Sequence, residues 1–311
     1  MPARPGRAHS TSSLGLAEAQ RSFLFHLRAE NKAPSTITTY GKAIDQFARY
    51  LATAGRSDRI ADVGRDDLRG FLVSLQDAHF RPATVANRFR SLQQFGKWCA
   101  AEGEIPESFA AGLRPPKVPE EPPPVLTADD LSALLKATEG TALPERRDRA
   151  ILSLLIDTGM RVSELVGLTL DTLDLRDGVA IVLGKGRRPR SCPFDRKTAQ
   201  DVDRYLRKRP EHPDAASTDV VWLGRRGAMT TNGIEQMIRR RAREAHLEGR
   251  VYPHLFRHTF AHQYLSAGGQ EGDLMRLAGW KSRQMLSRYG ASAADERART
   301  AHKALSPRNR L

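Results

Sequence analysis

The run RPPKVPEEPPP, from Arg114 to Pro124, limits this chain more than any other feature. Each proline fixes φ and removes a backbone donor, so neither a helix nor a central strand can pass through it. The chain must therefore fold as separate modules on either side, and 311 residues are enough for two modules with cores of their own. The expected layout is a domain over 14–113, a linker over 114–125 and a second domain over 126–292. Residues 1–13 read as a flexible basic tail, and 293–311 as a second tail that is helix-compatible to about Leu305.

Upstream of the prolines the apolar period is helical. Ile37, Tyr40, Ile44, Phe47 and Leu51 recur at three- and four-residue intervals behind Ser35, a candidate cap. Val85, Phe89, Leu92, Phe95 and Cys99 mark another helix, with shorter patterns over Leu16 to Ala29 and Asp66 to Leu75. The module is predicted to be a bundle of about four helices. Arg81, Arg88, Arg90 and Lys97 fall on or near the polar side of its last helix, where they could serve solubility or grip phosphates.

Downstream, Thr127 with Asp130 forms a capping-box pattern ahead of Leu131, Leu134 and Leu135. Residues Arg149 to Ile156 are apolar nearly all round, which predicts a buried helix. Thr158-Gly159 interrupts it before a short helix carrying Arg161 and Glu164. The alternation Val179, Ile181, Leu183 predicts a strand that turns at Gly184-Lys185-Gly186 and returns through Cys192 and Phe194. A helix after Thr230 carries Arg239, Arg240, Arg241 and Arg243, and Pro253 opens one from His254 to Ala267 with Phe256, Phe260 and Tyr264 on its core side. The fold class is mainly α with a small β-hairpin.

Charge narrows the partners. Fifty Lys and Arg against 36 Asp and Glu leave a formal charge of +14, mostly arginine, whose planar fork suits phosphate. Cys99 and Cys192 are too few and too far apart for a disulfide framework or a zinc site. No run of about 18 apolar residues offers a membrane span, and MPARPGRAHSTSS lacks the apolar core of a signal peptide, so a reducing, cytoplasmic setting is expected.

Cutting a phosphodiester with a side-chain nucleophile needs a hydroxyl in line with the leaving oxygen, cations on the nonbridging oxygens, a base and an acid. The second module holds candidates for all of these. Arg161 and Glu164 lie three apart in TGMRVSEL, so the carboxylate can orient the guanidinium, although such a pair is equally at home on a surface. His254 and Arg257 in HLFRH share one helical face near a helix start that favours anions. Lys185 sits between glycines at the hairpin tip, where it can reach outward.

In order and spacing these motifs resemble the tyrosine recombinase family, also called the lambda-integrase family, which includes Xer-type enzymes. That family pairs an arginine in a TGxRxSEL setting with a hairpin lysine, His-x-x-Arg, a His or Trp, and a tyrosine about nine residues later. This chain has TGMRVSEL with Arg161, GKGRR with Lys185, HLFRHTFAH with His254 and Arg257, LAGW with Trp280 and SRYG with Tyr289. Trp280 follows Arg257 by 23 residues, and Tyr289 follows Trp280 by nine. The likeness is strong from Leu126 to Tyr289, and only general helical character extends it from Leu16 to the linker. Most members carry His where Trp280 stands. An indole can donate one N–H and buttress its neighbours but cannot exchange a proton, which implies a phosphate-contacting and supporting role.

The resemblance implies a two-domain, C-shaped DNA clamp built from a helical SAM-like core-binding domain and a catalytic domain. Tyr289 would attack the scissile phosphate to form a 3'-phosphotyrosyl link and release a 5'-hydroxyl. Arg161 and Arg257 would hold the nonbridging oxygens, Lys185 would protonate the leaving oxygen, His254 would act as base or phosphate ligand, and Glu164 would support. Arg81, Arg88, Arg90, Lys97, Arg187, Arg188, Arg239 and Arg240 are the candidate DNA contacts. No cofactor and no metal are implied. The partners would be duplex DNA with a specific recombination site and further copies of the chain, two per site and four in a synapse, the C-terminal tail touching a neighbour. A second recombinase or a directionality factor could join them, no membrane is involved, and the bound enzyme would lie on the nucleoid. Two other readings stay open: a type IB topoisomerase-like enzyme, and a silent DNA-binding accessory protein. The flanking sequence KSRQMLSRY looks more like an integrase of a mobile element.

Overall fold

In the computed structural model, residues 14–119, 123–184, 189–247, 249, 251–280, 282 and 286 are described, together with 298–299, 302–303, 305–306 and 308. Lys185, Arg187, Arg188 and Tyr289 lie outside the described residues, as do the first tail and most of the last. The chain divides into two units, Met1–Glu120 and Glu121–Leu311, and the division falls inside the proline-rich run.

The first unit packs α1 (Leu16–Ala29), α2 (Pro34–Thr53), α3 (Arg65–Asp77) and α4 (Pro82–Ala101). The apolar periods meet in one core: Ile44, Phe47, Phe89, Leu92, Phe95 and Cys99 are all fully buried. Phe47 lies tilted against Phe71 and Phe109, and Phe23 lies among Tyr40, Phe95 and Trp98, adding ring packing to burial. Ser35 is not the cap of α2. Ala33 takes that place because Pro34, with its fixed φ and no N–H to satisfy, occupies the first helical position. Ser35 instead accepts, through its carbonyl, a hydrogen bond from the Thr39 hydroxyl.

The second unit opens on the Thr127–Asp130 box. Thr127 Oγ1 accepts from the Asp130 N–H at 3.1 Å, and Asp130 Oδ2 accepts from the Thr127 N–H at 2.8 Å, starting α5 (Ala128–Lys136). α6 (Leu143–Thr158) is the buried helix: Ala150 to Leu155 are all buried, Ser153 among them. It ends because Gly159 turns left-handed, at φ +55°. A side chain there would also strike Phe260, whose Cδ1 lies 2.6 Å from the position of a Cβ, so the site demands glycine twice over.

Next come α7 (Val162–Val166) and a sheet of three antiparallel strands, β1 (Leu173–Asp174), β2 (Val179–Leu183) and β3 (Pro189–Pro193), rather than a lone hairpin. β3 is an edge strand, which tolerates the prolines at both its ends. The buried face of β2 is Ala180 and Val182, while Ile181 and Leu183 point outward at 41% and 58% exposure. The larger aliphatics of the alternation thus lie on the outer face, since the core side must fit small residues against buried Cys192 and α7. α8 (Arg196–Lys208) and α11 (Glu271–Ala278) are helices that the sequence reading did not pick out; between them run β4 (Leu223–Gly224), β5 (Gly227–Ala228), α9 (Thr231–Glu244) and α10 (Pro253–Ser266). On α10 burial is broader than the predicted stripe. Leu255 to Thr259, Ala261 and Leu265 are buried, whereas Phe260 and Tyr264 are half-buried in a smaller cluster with Leu274, Ala278, Trp280 and Leu286. No helix among the described residues is long and apolar enough to cross a membrane.

Both cysteines are buried free thiols. Burial, reinforced by the charge of Glu104, pushes Cys99 up from its ordinary 9.0 to about 12, and burial likewise raises Cys192. The native protein should therefore resist iodoacetamide at pH 8 and react at both thiols once unfolded, which mass spectrometry would count. The unfolded chain loses these protons first. Stability from Cys99 is accordingly full below about pH 9 and lost as pH rises toward 12.

Candidate active site

The site grows from the turn that ends α6. With Gly159 in the left-handed region, the chain reverses and Arg161 becomes the N-cap of α7 rather than a residue within it, since Glu164 at the third helical position reaches back to its N–H. A five-residue helix is too short to hold itself, so tertiary contacts must fix it. The fully buried Trp222 does so, donating from Nε1 to the Leu165 carbonyl at 2.8 Å. Glu164, with its side chain 3% exposed, takes the Arg161 N–H on Oε2 at 2.7 Å and Arg161 Nη1 on Oε1 at 2.8 Å.

A further arginine, not picked out as a site residue from the sequence, shares that carboxylate. Arg190 of β3 donates from Nη2 to Glu164 Oε2 at 2.6 Å and from Nη1 to the Leu277 carbonyl at 2.9 Å. Its only sequence signal is a place in the arginine-rich return strand, opposite Val182.

Arg257 comes to the same place from α10. It is 1% exposed; Nη1 donates to the Gly159 carbonyl at 2.8 Å and Nη2 to the Ala278 carbonyl. Two carbonyls from two different elements thereby set the plane of its guanidinium. Trp280, itself buried, lays its ring 5.4 Å from the Arg257 Cζ, a cation–π contact. His254 lies one turn earlier on α10 and is exposed, its ring 5.5 Å from that of buried His258 and edge-on to it. Thr259 ties this helix to the start of the unit by accepting the Leu126 N–H at 2.9 Å. Arg161, Glu164, Arg257 and Trp280 are thus brought together around one turn, with Arg190 beside them. Among the described residues no group of His, Cys, Asp and Glu could hold a metal ion.

Residues 124–296 match the model of the phage integrase family, and residues 21–103 match that of the phage integrase N-terminal SAM-like domain. The tyrosine recombinase XerC of Roseiflexus sp. (strain RS-1) is 33% identical over 267 residues, which are 84% of this chain and 85% of that one. The chain belongs to the phage integrase family. It is a site-specific tyrosine recombinase. The XerD of Shewanella oneidensis (strain ATCC 700550 / JCM 31522 / CIP 106686 / LMG 19005 / NCIMB 14063 / MR-1) is 32% identical over 75% of this chain and 78% of that one. The fold is shared with the Tn1549 transposon integrase in complex with transposon right end DNA, at TM-score 0.75 and 20% identity over 94% of this chain and all of that one. It is shared too with a lambda integrase tetramer bound to a Holliday junction, at 0.70 and 19% over 90% and 78%.

The recombinase offers few rival nucleophiles among its described tyrosines. Tyr205 is fully buried, its hydroxyl donates to the Val221 carbonyl at 2.8 Å, and burial raises its pKa, so it is neither reachable nor easily ionised. Tyr40 and Tyr50 pack beside Phe23 and Phe71, and Tyr264 beside Phe260. Tyr252 packs against the main core of the second unit.

The basic candidates divide by what already holds them. Arg81, Arg90 and Lys97 are exposed and make no ion pair or side-chain hydrogen bond among the described residues; Arg88 donates to Gln46. α4 carries no acidic residue at all, and Asn87, Arg90, Gln94 and Lys97 follow one another down its exposed face. On α9, Arg239 pairs with Glu235 at 3.5 Å. Arg240 donates at 2.7 Å to Asp148, a fully buried carboxylate that also holds Arg147 and Arg241.

Proposed function

We propose that this recombinase cuts and rejoins duplex DNA at a specific site through a covalent 3'-phosphotyrosyl link to Tyr289. Arg161 and Arg257 bind the nonbridging oxygens and take up the charge of the five-coordinate phosphorus, which exists only in the transition state. Lys185 protonates the leaving 5' oxygen, and His254 accepts the phenolic proton or holds the phosphate. Trp280 buttresses Arg257, and Glu164 orients Arg161. The freed 5'-hydroxyl then attacks the equivalent link in a partner strand, so the phosphodiester energy is kept in the enzyme bond. The observation that carries this reading is the convergence of two arginines from α10 and the α7 cap on one glycine turn.

The enzyme acts on DNA as a homo-oligomer, two copies on a site and four in a synapse, within the cytoplasm. The named assemblies of its structural neighbours, a lambda integrase tetramer among them, support this. The test is incubation with nicked suicide duplexes carrying candidate sites from the flanking genome, followed by a denaturing gel. A protein–DNA adduct on one of them supports the reading. Binding without an adduct on a proven site would instead favour a silent accessory protein.

The exposed face of α4 meets phosphates, with Arg90 and Lys97 as contacts and Arg81 at the helix start. Replacing any one of these three by Gln should weaken binding to all sequences alike and lower the salt slope of log K by about 1, as read by anisotropy titrations from 50 to 200 mM salt. Arg240→Gln should act differently. It removes one of three arginines from buried Asp148, whose Oδ2 still accepts from Arg241, so its main effect is a loss of about 0.5–1.5 kcal/mol in stability with little change in that slope.

A further inference from the structure

We infer that Arg190 is a positioning residue for strand cleavage: it holds Glu164 so that this carboxylate orients Arg161 without cancelling its charge, and it ties down the turn that leads into Trp280. The inference rests on the reading of the site given under Proposed function.

A lone carboxylate paired with Arg161 would fix its direction but neutralise it, leaving little net field for a phosphate. Here Glu164 is shared. Its Oε1 serves Arg161, while Oε2 serves both the Arg161 N–H and Arg190 Nη2. One negative charge among Arg161, Arg190 and Arg257 leaves a surplus of two positive charges, in surroundings where charges are weakly screened because Glu164 and Arg190 are 3% and 13% exposed. The guanidinium of Arg190 turns both terminal nitrogens toward groups of the protein, and its Nε is buried with no hydrogen-bond partner among the described residues. Its Nη2 is on Glu164, and its Nη1 is on the Leu277 carbonyl and close to Cys192 Sγ.

The second tether runs to the end of α11. Leu277 precedes Ala278, whose carbonyl holds Arg257, and Gly279 turns left-handed at φ +64° before Trp280. A Cβ at Gly279 would lie 2.8 Å from Arg190 Nε, so strand and turn are in contact with no room for a side chain. One guanidinium thereby links β3, the α7 cap and the turn before Trp280. Lysine could supply the charge, but its compact ammonium lacks the planar fork with which Arg190 meets Glu164 and the Leu277 carbonyl from two separate nitrogens.

The experiment measures single-turnover adduct formation on a nicked suicide duplex at saturating protein, with DNA affinity and melting temperature measured alongside. Arg190→Gln should slow adduct formation about 10- to 100-fold, as loss of a supporting partner of a reacting group does, with affinity changed less than about two-fold. Arg190→Lys should recover part of the loss. In a Glu164→Gln background, itself slowed, the same Arg190→Gln change should cost less than about three-fold, because the carboxylate it served is gone. A full loss in both backgrounds, or wild-type rates in Arg190→Gln, would overturn the inference. Should Arg190→Gln fail to fold, the cycle is read with Arg190→Lys, for which equal losses in both backgrounds are again the overturning result. No adduct from the wild type on a proven site would bring down the underlying reading itself; an adduct with additive losses would bring down only the role of Arg190.

Discussion

Tyr289→Phe should lower covalent adduct formation by at least about 10⁴-fold, below detection on a denaturing gel, and leave DNA affinity within about two-fold of the wild type. The substitution removes one oxygen and keeps the ring, so a change confined to the covalent step points to the nucleophile rather than to the fold. Competing assignments are constrained by the other tyrosines. Tyr205 is sealed in the core with its hydroxyl engaged and its pKa raised by burial, and Tyr40, Tyr50, Tyr252 and Tyr264 pack against apolar neighbours. An adduct that persists in Tyr289→Phe would move the search to Tyr252 and Tyr264, the half-buried tyrosines of the second unit. An adduct lost together with DNA binding would mean that the phenol serves the complex and not the bond.

How much of this was legible in the sequence depended on whether a signal was local. Helices such as α4, with its long apolar period, α5, with its capping box, and α10, opened by Pro253, announce themselves because period and start signal lie within a few residues. α8 carries a similar signal, Asp195 as cap and buried Val202 and Tyr205 beyond it, but its many charged residues masked the narrow stripe. The outward face of β2 was not legible, because alternation fixes which residues share a face and not which face is buried. The site shows the same split. Arg161, Glu164, His254 and Arg257 stand in short motifs that belong to single turns of chain. Arg190 and the carbonyls of Gly159, Leu277 and Ala278 act only through partners 21 to 98 residues away, and no spacing rule predicts those. Arg161 could be paired with Glu164 from sequence, but its place as a cap follows from the glycine turn just before it.

Arg257→Lys should reduce adduct formation by about 10³-fold, the upper end of what loss of one oriented donor to a transition-state oxyanion costs. The argument starts from the two carbonyls. Gly159 and Ala278 hold the guanidinium at two of its nitrogens, and the Trp280 ring lies against it, so its plane is fixed from two places in the chain, the end of α6 and residues 278–280. Lysine keeps the positive charge and can stay near the indole, but a point ammonium cannot satisfy both carbonyls and face a phosphate in a defined plane. One carbonyl is then left buried without a donor, at a cost of about 1–3 kcal/mol, which for a unit of this size lowers the melting temperature by about 2–12 °C. The two losses separate on measurement. The stability loss should be recovered by cooling below the new transition, whereas the rate loss should persist at every temperature where the protein is folded. A variant that melts early yet forms adduct at the wild-type rate in the cold would show Arg257 to be a rivet between α6, α10 and α11, with the phosphate left to Arg161.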